Sequence, residues 1–300
     1  MNVLSKRIAQ GLVFVLGAIP FAVRSQLGWL VGYIFGCFPS RERRIASLQL
    51  RVFLDKQVSP LLIRRVFANA GRTFFESFNL RPVLTDPRYS ILLEGTETFK
   101  KLRTADRPIV ALTAHTGNWD LLGAYIIHQG MEVTTIARDA RSPFAQSILS
   151  CIRDRYGIRT LWRSDKKGMK QLIQVLKDRN IVAALIDQDT RVSSSHIPFF
   201  SHPAKTPSSL VTLGKRHNAQ FVSAFLFRTG GTSYRLYLAP LDSAMETDDI
   251  LSAYNMELER LVRQFPEQWV WFHKRWRSLP TGAVLSSSEY IDHLERKLST

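Results

Sequence analysis

From about residue 90 onward, apolar runs alternate along the chain with segments whose apolar positions recur every three or four residues. The runs at 109–114 and 181–186 lack the apolar–polar alternation of half-exposed strands, which favours strands buried on both faces of a parallel sheet. We therefore predict an α/β fold with a mixed, mostly parallel central sheet flanked by helices. Strands are predicted at 109–114, 131–137, 181–186, 221–228 and 234–239, and helices at 119–128, 144–156, 167–179, 208–217 and 247–264.

Two uncharged apolar runs lie near the start of the chain, at 11–23 and 27–38, and each is shorter than the roughly 20 residues of a spanning helix. A kinked hairpin, a single short span, a monotopic helix and a pair of core helices all fit this pattern. We expect an uncleaved membrane anchor, because basic side chains flank the runs and favour an anionic cytoplasmic leaflet. These side chains are Lys6, Arg7, Arg41, Arg43 and Arg44.

The segment between 41 and about 80 has apolar residues at helical spacing, and Pro60 suits the first turn of a helix. One or two amphipathic helices are predicted there, leading from the anchor to the rest of the chain. The expected organisation is an N-terminal membrane anchor at 1–40 and a single domain at 41–300.

Charge narrows the choice of partner. The chain has 41 Lys and Arg residues against 25 Asp and Glu residues, a formal net charge of +16. This excess indicates an anionic partner, which could be nucleic acid, acidic lipid head groups or an acidic protein. The basic residues are spread along the chain without a helix-turn-helix, zinc-finger or ribonucleoprotein motif, so we predict no nucleic-acid partner.

The segment with the clearest candidate catalytic side chains is HTGNWD, at 115–120, directly after the predicted strand at 109–114. Ligands of open α/β sheets usually bind at the carboxyl ends of strands. His115 and Asp120 would lie about 140° apart on a regular helix, so they can pair only across a turn at Gly117. With Asn118 as the helix cap, Asp120 could reach the imidazole and make His115 a general base.

Other catalytic patterns are absent from the sequence. It contains no GxSxG nucleophile motif, no GxxxxGK[ST] phosphate loop and no Cys or His spacing typical of a metal site. A direct transfer without a covalent enzyme intermediate is the simplest chemistry left, and it needs neither metal nor cofactor. The alternative for HTGNWD alone is a structural histidine at a helix start.

HTGNWD resembles the His-x4-Asp/Glu motif of the late acyltransferases of bacterial lipid A biosynthesis, within the glycerolipid acyltransferase group. The resemblance extends over roughly 25–280 and includes features that occur in the same order here. They are Asp187-Gln188 after a strand, Phe199-Phe200 before Pro203, Ala204 and Pro207, and then Pro266 before Trp271, His273, Arg275 and Trp276.

The resemblance implies an enzyme that transfers a fatty acyl group to a hydroxyl of a glucosamine-based lipid A precursor. His115 would be the general base and Asp120 its orienting partner. The implied acyl donor is a thioester of acyl carrier protein, an acidic partner that would suit the basic chain. The implied location is the cytoplasmic face of the bacterial inner membrane.

Further substrate-binding residues are expected near the motif. By resemblance, Arg138 lies near the active-site groove and could hold a phosphate, and Arg153 is a second candidate of this kind. Asp187 and Gln188 could shape the same cleft, or only organise the loops after their strand. Asn118 completes the predicted substrate-binding set.

Two departures from the family pattern limit any prediction of the substrate. The motif acid is Asp120, where many members have glutamate, and Ser201 stands where many have glycine. Another lipid acceptor, such as a phosphatidylinositol mannoside or a lysophospholipid, and coenzyme A as the carrier remain alternatives. A membrane-interaction protein without activity is a further alternative if His115 is dispensable.

Overall fold

The computed structural model describes residues 3–55, 57–140 and 142–299. The predicted fold class is confirmed: a mixed, mostly parallel sheet of seven strands is flanked by helices. The helices are α1 (Val3–Ala18), α2 (Phe21–Phe35), α3 (Arg41–Gln49), α4 (Pro60–Ser77), α5 (Arg81–Thr85), α6 (Thr96–Arg103), α7 (Trp119–His128), α8 (Pro143–Asp154), α9 (Gly168–Lys177), α10 (Ser209–Arg216), α11 (Thr247–Gln264) and α12 (Ser287–Ser299). The strands are β1 (Ser90–Glu94), β2 (Ile109–Thr113), β3 (Val133–Ala137), β4 (Arg159–Trp162), β5 (Ile181–Leu185), β6 (Ser194–Phe199), β7 (His202–Pro207), β8 (Gln220–Gly230) and β9 (Ser233–Leu241).

All five predicted strands and the five helices expected among them are present. The sequence pattern missed β1, β4 and the β6–β7 ribbon, because short or partly exposed strands carry a weak apolar signal. It also missed α12, whose apolar side chains pack against the core.

The sheet order is β1-β9-β8-β2-β5-β3-β4, and every neighbouring pair is parallel except β8 and β9. β2 lies at the centre, between β8 and β5, and all five of its residues are buried. Because β2 and β5 are parallel neighbours in register, the residues that follow them meet at one edge of the sheet. This edge is the carboxyl end of the strands, where open α/β sheets usually bind ligands.

The N-terminal apolar runs form two helices, α1 and α2, with a bend of 109° between them near Pro20. Within the described residues, no single helix has the length and apolarity needed to cross a bilayer, although the bent pair taken together does. The fully buried Arg24 holds this bend by donating to the carbonyls of Gly17 and Ile19, at 3.2 and 2.7 Å, and to that of Asn79. Membrane anchoring and a domain boundary at residue 40 stay predictions.

α2 packs against α4 with almost no side chains between the two backbones. A methyl group built on Gly32 would overlap the carbonyl oxygen of Phe67, and one on Gly71 would overlap that of Gly28. Larger residues at these positions would force the helices apart. α2 and α4 therefore form one tightly joined layer beneath the HTGNWD motif.

The turn between β6 and β7 contains Ser201, where the family pattern favours glycine. Phe200 and Ser201 have φ angles of +50° and +60°, a left-handed conformation that costs a residue with a side chain about 1–2 kcal/mol. Such two-residue hairpin turns favour Asn-Gly for this reason.

Replacing Ser201 with glycine should stabilise the protein by about 1 kcal/mol, because glycine adopts this conformation without strain. The midpoint of thermal unfolding should rise by about 2 °C in a chain of this length. Calorimetry of the parent and the Ser201→Gly variant, with Ser243→Gly as a control in another turn, measures the difference. An unchanged or lower midpoint for Ser201→Gly would show that the turn is not strained.

Candidate active site

The imidazole of His115 lies at the carboxyl end of β2, and its side chain is 22% exposed. Its Nδ1 atom is 2.8 Å from Oδ1 of Asp187, which follows β5, and its backbone N–H donates to the other oxygen, Oδ2, at 2.9 Å. Both residues stand two positions beyond the paired Thr113 and Leu185, so the parallel register of β2 and β5 brings them together. The structure thus forms a histidine–carboxylate pair at the sheet edge.

Asp187 is 1% exposed and is held ionised by its surroundings. Burial by itself raises the pKa of the carboxyl. The His115 imidazole, with hydrogen bonds from His115 and from Nε1 of Trp269 at 2.9 Å, outweighs burial and keeps the pKa below its usual value. An ionised acceptor at Nδ1 makes this nitrogen the donor, so Nε2 keeps the lone pair that a general base needs.

The expected contact between Asp120 and His115 is wrong in this structure. Asp120 lies in the first turn of α7, as predicted, but its oxygens accept from Oγ of Ser77 at 3.2 Å and from Nε of Arg153 at 3.3 Å. The turn at Gly117 directs the helix away from the imidazole, and Asp187 from the neighbouring strand takes the place expected for Asp120. Any catalytic role of Asp120 stays a prediction.

The turn itself is where the sequence placed it. Gly117 has a φ of +49°, and a methyl group on it would overlap the carbonyl oxygen of Leu226, so only glycine fits. Asn118 caps α7 by accepting from the N–H of Leu121 at 2.9 Å, as expected. Asn118 is also 1% exposed, so its side chain organises the motif and does not face the groove beside His115.

Gln188 lies over the imidazole of His115. Its Nε2 atom is 3.1 Å from both ring nitrogens and 3.4 Å from Nε2 of a second histidine, His273. Burial, with a smaller contribution from the nearby His115, lowers the pKa of His273 to about 3. His273 therefore stays neutral and adds no second positive charge beside His115.

A groove of about 620 Å³ opens beside His115 between α8, α9 and the carboxyl ends of β3 and β5. Its floor is apolar and its rim is basic. Four of the predicted site residues line it, namely His115, Arg138, Arg153 and Gln188. Apolar lining residues include Ile136, Leu161, Leu172, Ile186 and Leu210, and Arg163 and Lys166 add positive charge.

Arg153 is the most confined of the basic residues around the groove. Its side chain is 11% exposed, and its guanidinium is held through Nε by Asp120 and lies over the Trp162 ring. Its NH1 atom is buried without a hydrogen-bond partner in the described structure. A buried, unpaired N–H of a cation is costly, so this atom is suited to an anionic ligand.

The sequence did not single out several residues that build this site. Trp269 is 1% exposed, and its indole N–H donates to the carboxylate of Asp187. Glu76 and Ser77, at the end of α4, bond to Asn118 and Asp120. A polar pair inside an amphipathic helix signals such contacts only weakly, because the partners are 42 and 43 residues away.

Within 3–55, 57–140 and 142–299, no group of three or more His, Cys, Asp or Glu residues is arranged to hold a metal ion.

The family model for bacterial lipid A biosynthesis acyltransferases matches residues 5–278, nearly the whole chain. The chain therefore belongs to this family, and it is an acyltransferase.

Several relatives have low sequence identity to this chain, and the lipid A relatives match it over almost their whole length. The lipid A biosynthesis palmitoleoyltransferase of Escherichia coli (strain K12) is 24% identical over 296 residues, covering 94% of this chain and 92% of the relative. The lipid A biosynthesis lauroyltransferase of the same organism is 24% identical over 283 residues, 91% of each chain. A phosphatidylinositol mannoside acyltransferase of Mycobacterium tuberculosis (strain CDC 1551 / Oshkosh) is 20% identical over 213 residues, with 69% and 67% covered.

Proposed function

We propose that this enzyme transfers a fatty acyl chain from an acyl carrier protein thioester to a hydroxyl of a glucosamine-based lipid A precursor. One observation carries the catalytic part of this proposal. The imidazole of His115 faces a groove large enough for lipid substrates, while its Nδ1 is hydrogen-bonded to the buried carboxylate of Asp187. The lipid A relatives cover more of this chain than the mannoside relatives do, which favours the lipid A acceptor.

In the proposed reaction, the acceptor hydroxyl takes the place of the Gln188 amide at Nε2 of His115. Nε2 removes the hydroxyl proton as the oxygen attacks the thioester carbonyl, and Asp187 stabilises the imidazolium that forms. The tetrahedral intermediate then collapses, the carbon–sulfur bond breaks, and the imidazolium returns the proton to the leaving thiolate. The products are the ester and the free thiol of the carrier.

This mechanism gives Asp187 and Asp120 different roles. Asp187 orients the base, whereas Asp120 holds Arg153 at the wall of the groove. The roles should separate kinetically, because orienting the base affects the chemical step and holding Arg153 affects substrate binding.

We expect His115→Ala and Asp187→Asn each to lower kcat by about 10²–10⁴-fold, the range for losing a general base or its tautomer. Asp120→Asn should instead act mainly on the KM of the lipid acceptor. The assay incubates purified enzyme with acylated carrier protein and a tetra-acylated precursor and reads the product mass. Equal kcat losses in Asp120→Asn and Asp187→Asn would contradict the division of roles, and full activity of His115→Ala would exclude the mechanism.

The acyl chain would lie on the apolar floor of the groove, with Ile136, Leu172 and Leu210 among its contacts. A smaller apolar cavity of about 60 Å³ lies between the sheet and α6 and α7, and it shares Trp119, Thr135 and Leu185 with the groove. The Trp119 ring is 5.1 Å from that of His115 and separates the catalytic histidine from this cavity. The apolar lining supports a long hydrocarbon chain as the transferred group.

A phosphate of the acceptor lipid would bind at Arg153. The unpartnered NH1 provides a donor at the groove wall, and Arg138 is exposed on the same groove. Arginine is well suited to phosphate because its donors match the geometry of two phosphate oxygens.

Arg153→Gln should raise the KM for a phosphorylated acceptor by about 10–100-fold, the cost of a lost charge-assisted hydrogen bond. An acceptor without the phosphate should be used equally by the parent and the variant. Arg159→Gln, an exposed arginine on β4, is the control and should change neither KM. An equal rise in KM for both acceptors would show that the phosphate does not bind at Arg153.

Two alternatives share the chemistry. A phosphatidylinositol mannoside or a lysophospholipid could replace the lipid A precursor, and coenzyme A could replace the carrier protein. The same mass assay distinguishes them, because each acceptor and donor gives its own product. No product with any acylated carrier and the lipid A precursor would favour another acceptor.

We also propose that α1 and α2 anchor the enzyme to the cytoplasmic face of the inner membrane. The two helices expose large apolar side chains, including Phe14 at 68% and Phe35 at 66%. The net charge of +16 would attract an anionic leaflet. The 109° bend supports a hairpin that enters one leaflet from the side over a straight spanning helix.

Replacing both Phe14 and Phe35 with serine should weaken binding to anionic phospholipid vesicles by at least tenfold, because each buried phenyl ring contributes about 1.5–3 kcal/mol. Vesicle flotation measures the bound fraction. Met256→Ser on α11 is the matched control, since Met256 is 72% exposed. Equal binding of both variants would exclude this membrane surface.

A further inference from the structure

One buried carboxylate contacts the N-terminal helices, the HTGNWD motif and the sheet. Glu76, at the end of α4, is fully buried. It accepts from Oγ of Ser25 on α2 at 2.7 Å, from Nδ2 of Asn118 in the motif at 2.9 Å, and from the guanidinium of Arg228 on β8. These contacts join the N-terminal hairpin, the motif and the sheet at one side chain.

We propose that Glu76 is a positioning residue for catalysis: it holds Asn118, and through it the turn that follows His115, in a fixed relation to the hairpin. This inference goes beyond the chemistry proposed above, which assigns α4 no role, and it rests on that function only for its kinetic readout. Glu76 touches no substrate and acts through Asn118.

The position of Asn118 makes this role specific. Its Nδ2 donates to Glu76, while its Oδ1 accepts from the N–H of Leu121 and so starts α7. Rotation of the amide would break both contacts together. Because α7 carries Trp119, beside His115, and Asp120, which holds Arg153, the orientation of one buried amide affects two walls of the groove.

Two neighbouring residues of α4 act on the same turn. Thr73 donates to the carbonyl of Gly117, and Ser77 donates to Asp120. One face of α4 therefore contacts the motif. Elsewhere on α4, Phe67 and Gly71 pack against the glycines of α2. Since α2 also exposes apolar side chains such as Leu30 and Phe35, the proposed lipid surface and the motif share one rigid support.

Charge alone does not account for these contacts. A buried ion pair between Glu76 and Arg228 would need neither Ser25 nor Asn118, and replacing such a pair with apolar residues of similar size is often tolerated. The hydrogen bond to Asn118 can therefore be tested apart from the ion pair.

The test compares two double variants, Glu76→Gln with Arg228→Met and Glu76→Leu with Arg228→Met. Both remove the ion pair, but only glutamine keeps an oxygen that accepts from Asn118 and an amide that donates to Ser25. For the glutamine variant we expect kcat within about threefold of the parent. For the leucine variant we expect kcat at least tenfold lower per folded molecule, with a smaller rise in the KM of the lipid acceptor, because Asp120 on the same helix holds Arg153.

Hydrogen exchange gives a readout that needs no substrate. The backbone amide of Leu121 should exchange at least tenfold faster in the leucine variant than in the glutamine variant, because Asn118 no longer holds it. Asn255→Leu is the control: this buried side chain on α11 donates to the carbonyl of Pro198, and its loss should lower stability without changing kcat or Leu121 exchange.

Equal kcat and equal Leu121 exchange in the two double variants would overturn the proposal. A loss of kcat in both variants to the same extent would also overturn it, since the ion pair would then be the only contribution. If the parent enzyme transfers no acyl chain in the assay, the proposed substrates are wrong. The exchange rate of the Leu121 amide then still shows whether Glu76 holds Asn118.

Discussion

The contact between His115 and Asp187 is the constraint around which the rest of the site is arranged. A carboxylate that is 1% exposed can stay ionised only if donors surround it, and here the imidazole, the backbone of His115 and the indole of Trp269 supply them. These donors come from the segment after β2 and from the C-terminal part of the chain. Burying Asp187 therefore requires distant segments to pack correctly, and the same packing directs Nε2 of His115 to the groove.

A second polar layer surrounds the motif on the side of the hairpin. Glu76, Ser77 and Thr73 of α4 bind the residues that follow His115, and glycines bring α4 close to α2. A surface suited to lipid and a groove suited to an acyl chain thus belong to one packed unit. This arrangement fits an enzyme whose proposed acceptor resides in a membrane.

The groove combines two environments. Apolar side chains form its floor, and arginine and lysine side chains form its rim, so one substrate can place a hydrocarbon chain inward and an anionic group outward. Asp120 contributes by holding Arg153 at the groove wall. In this chain the acid of the His-x4-Asp motif therefore binds a cation, while His115 is paired with Asp187 after the neighbouring strand β5.

Sequence by itself determined the five strands β2, β3, β5, β8 and β9, the turn at Gly117, the position of His115 after β2 and the family, because apolar periodicity, glycine and a local motif are properties of neighbouring residues. It also placed Asp187 and Gln188 at a strand end. Only the tertiary structure decided which carboxylate meets His115, since His115 and Asp187 follow adjacent strands of the sheet but are 72 residues apart in the chain. The partners of Glu76 and the free NH1 of Arg153 depend on packing between distant segments in the same way, and no local pattern records them.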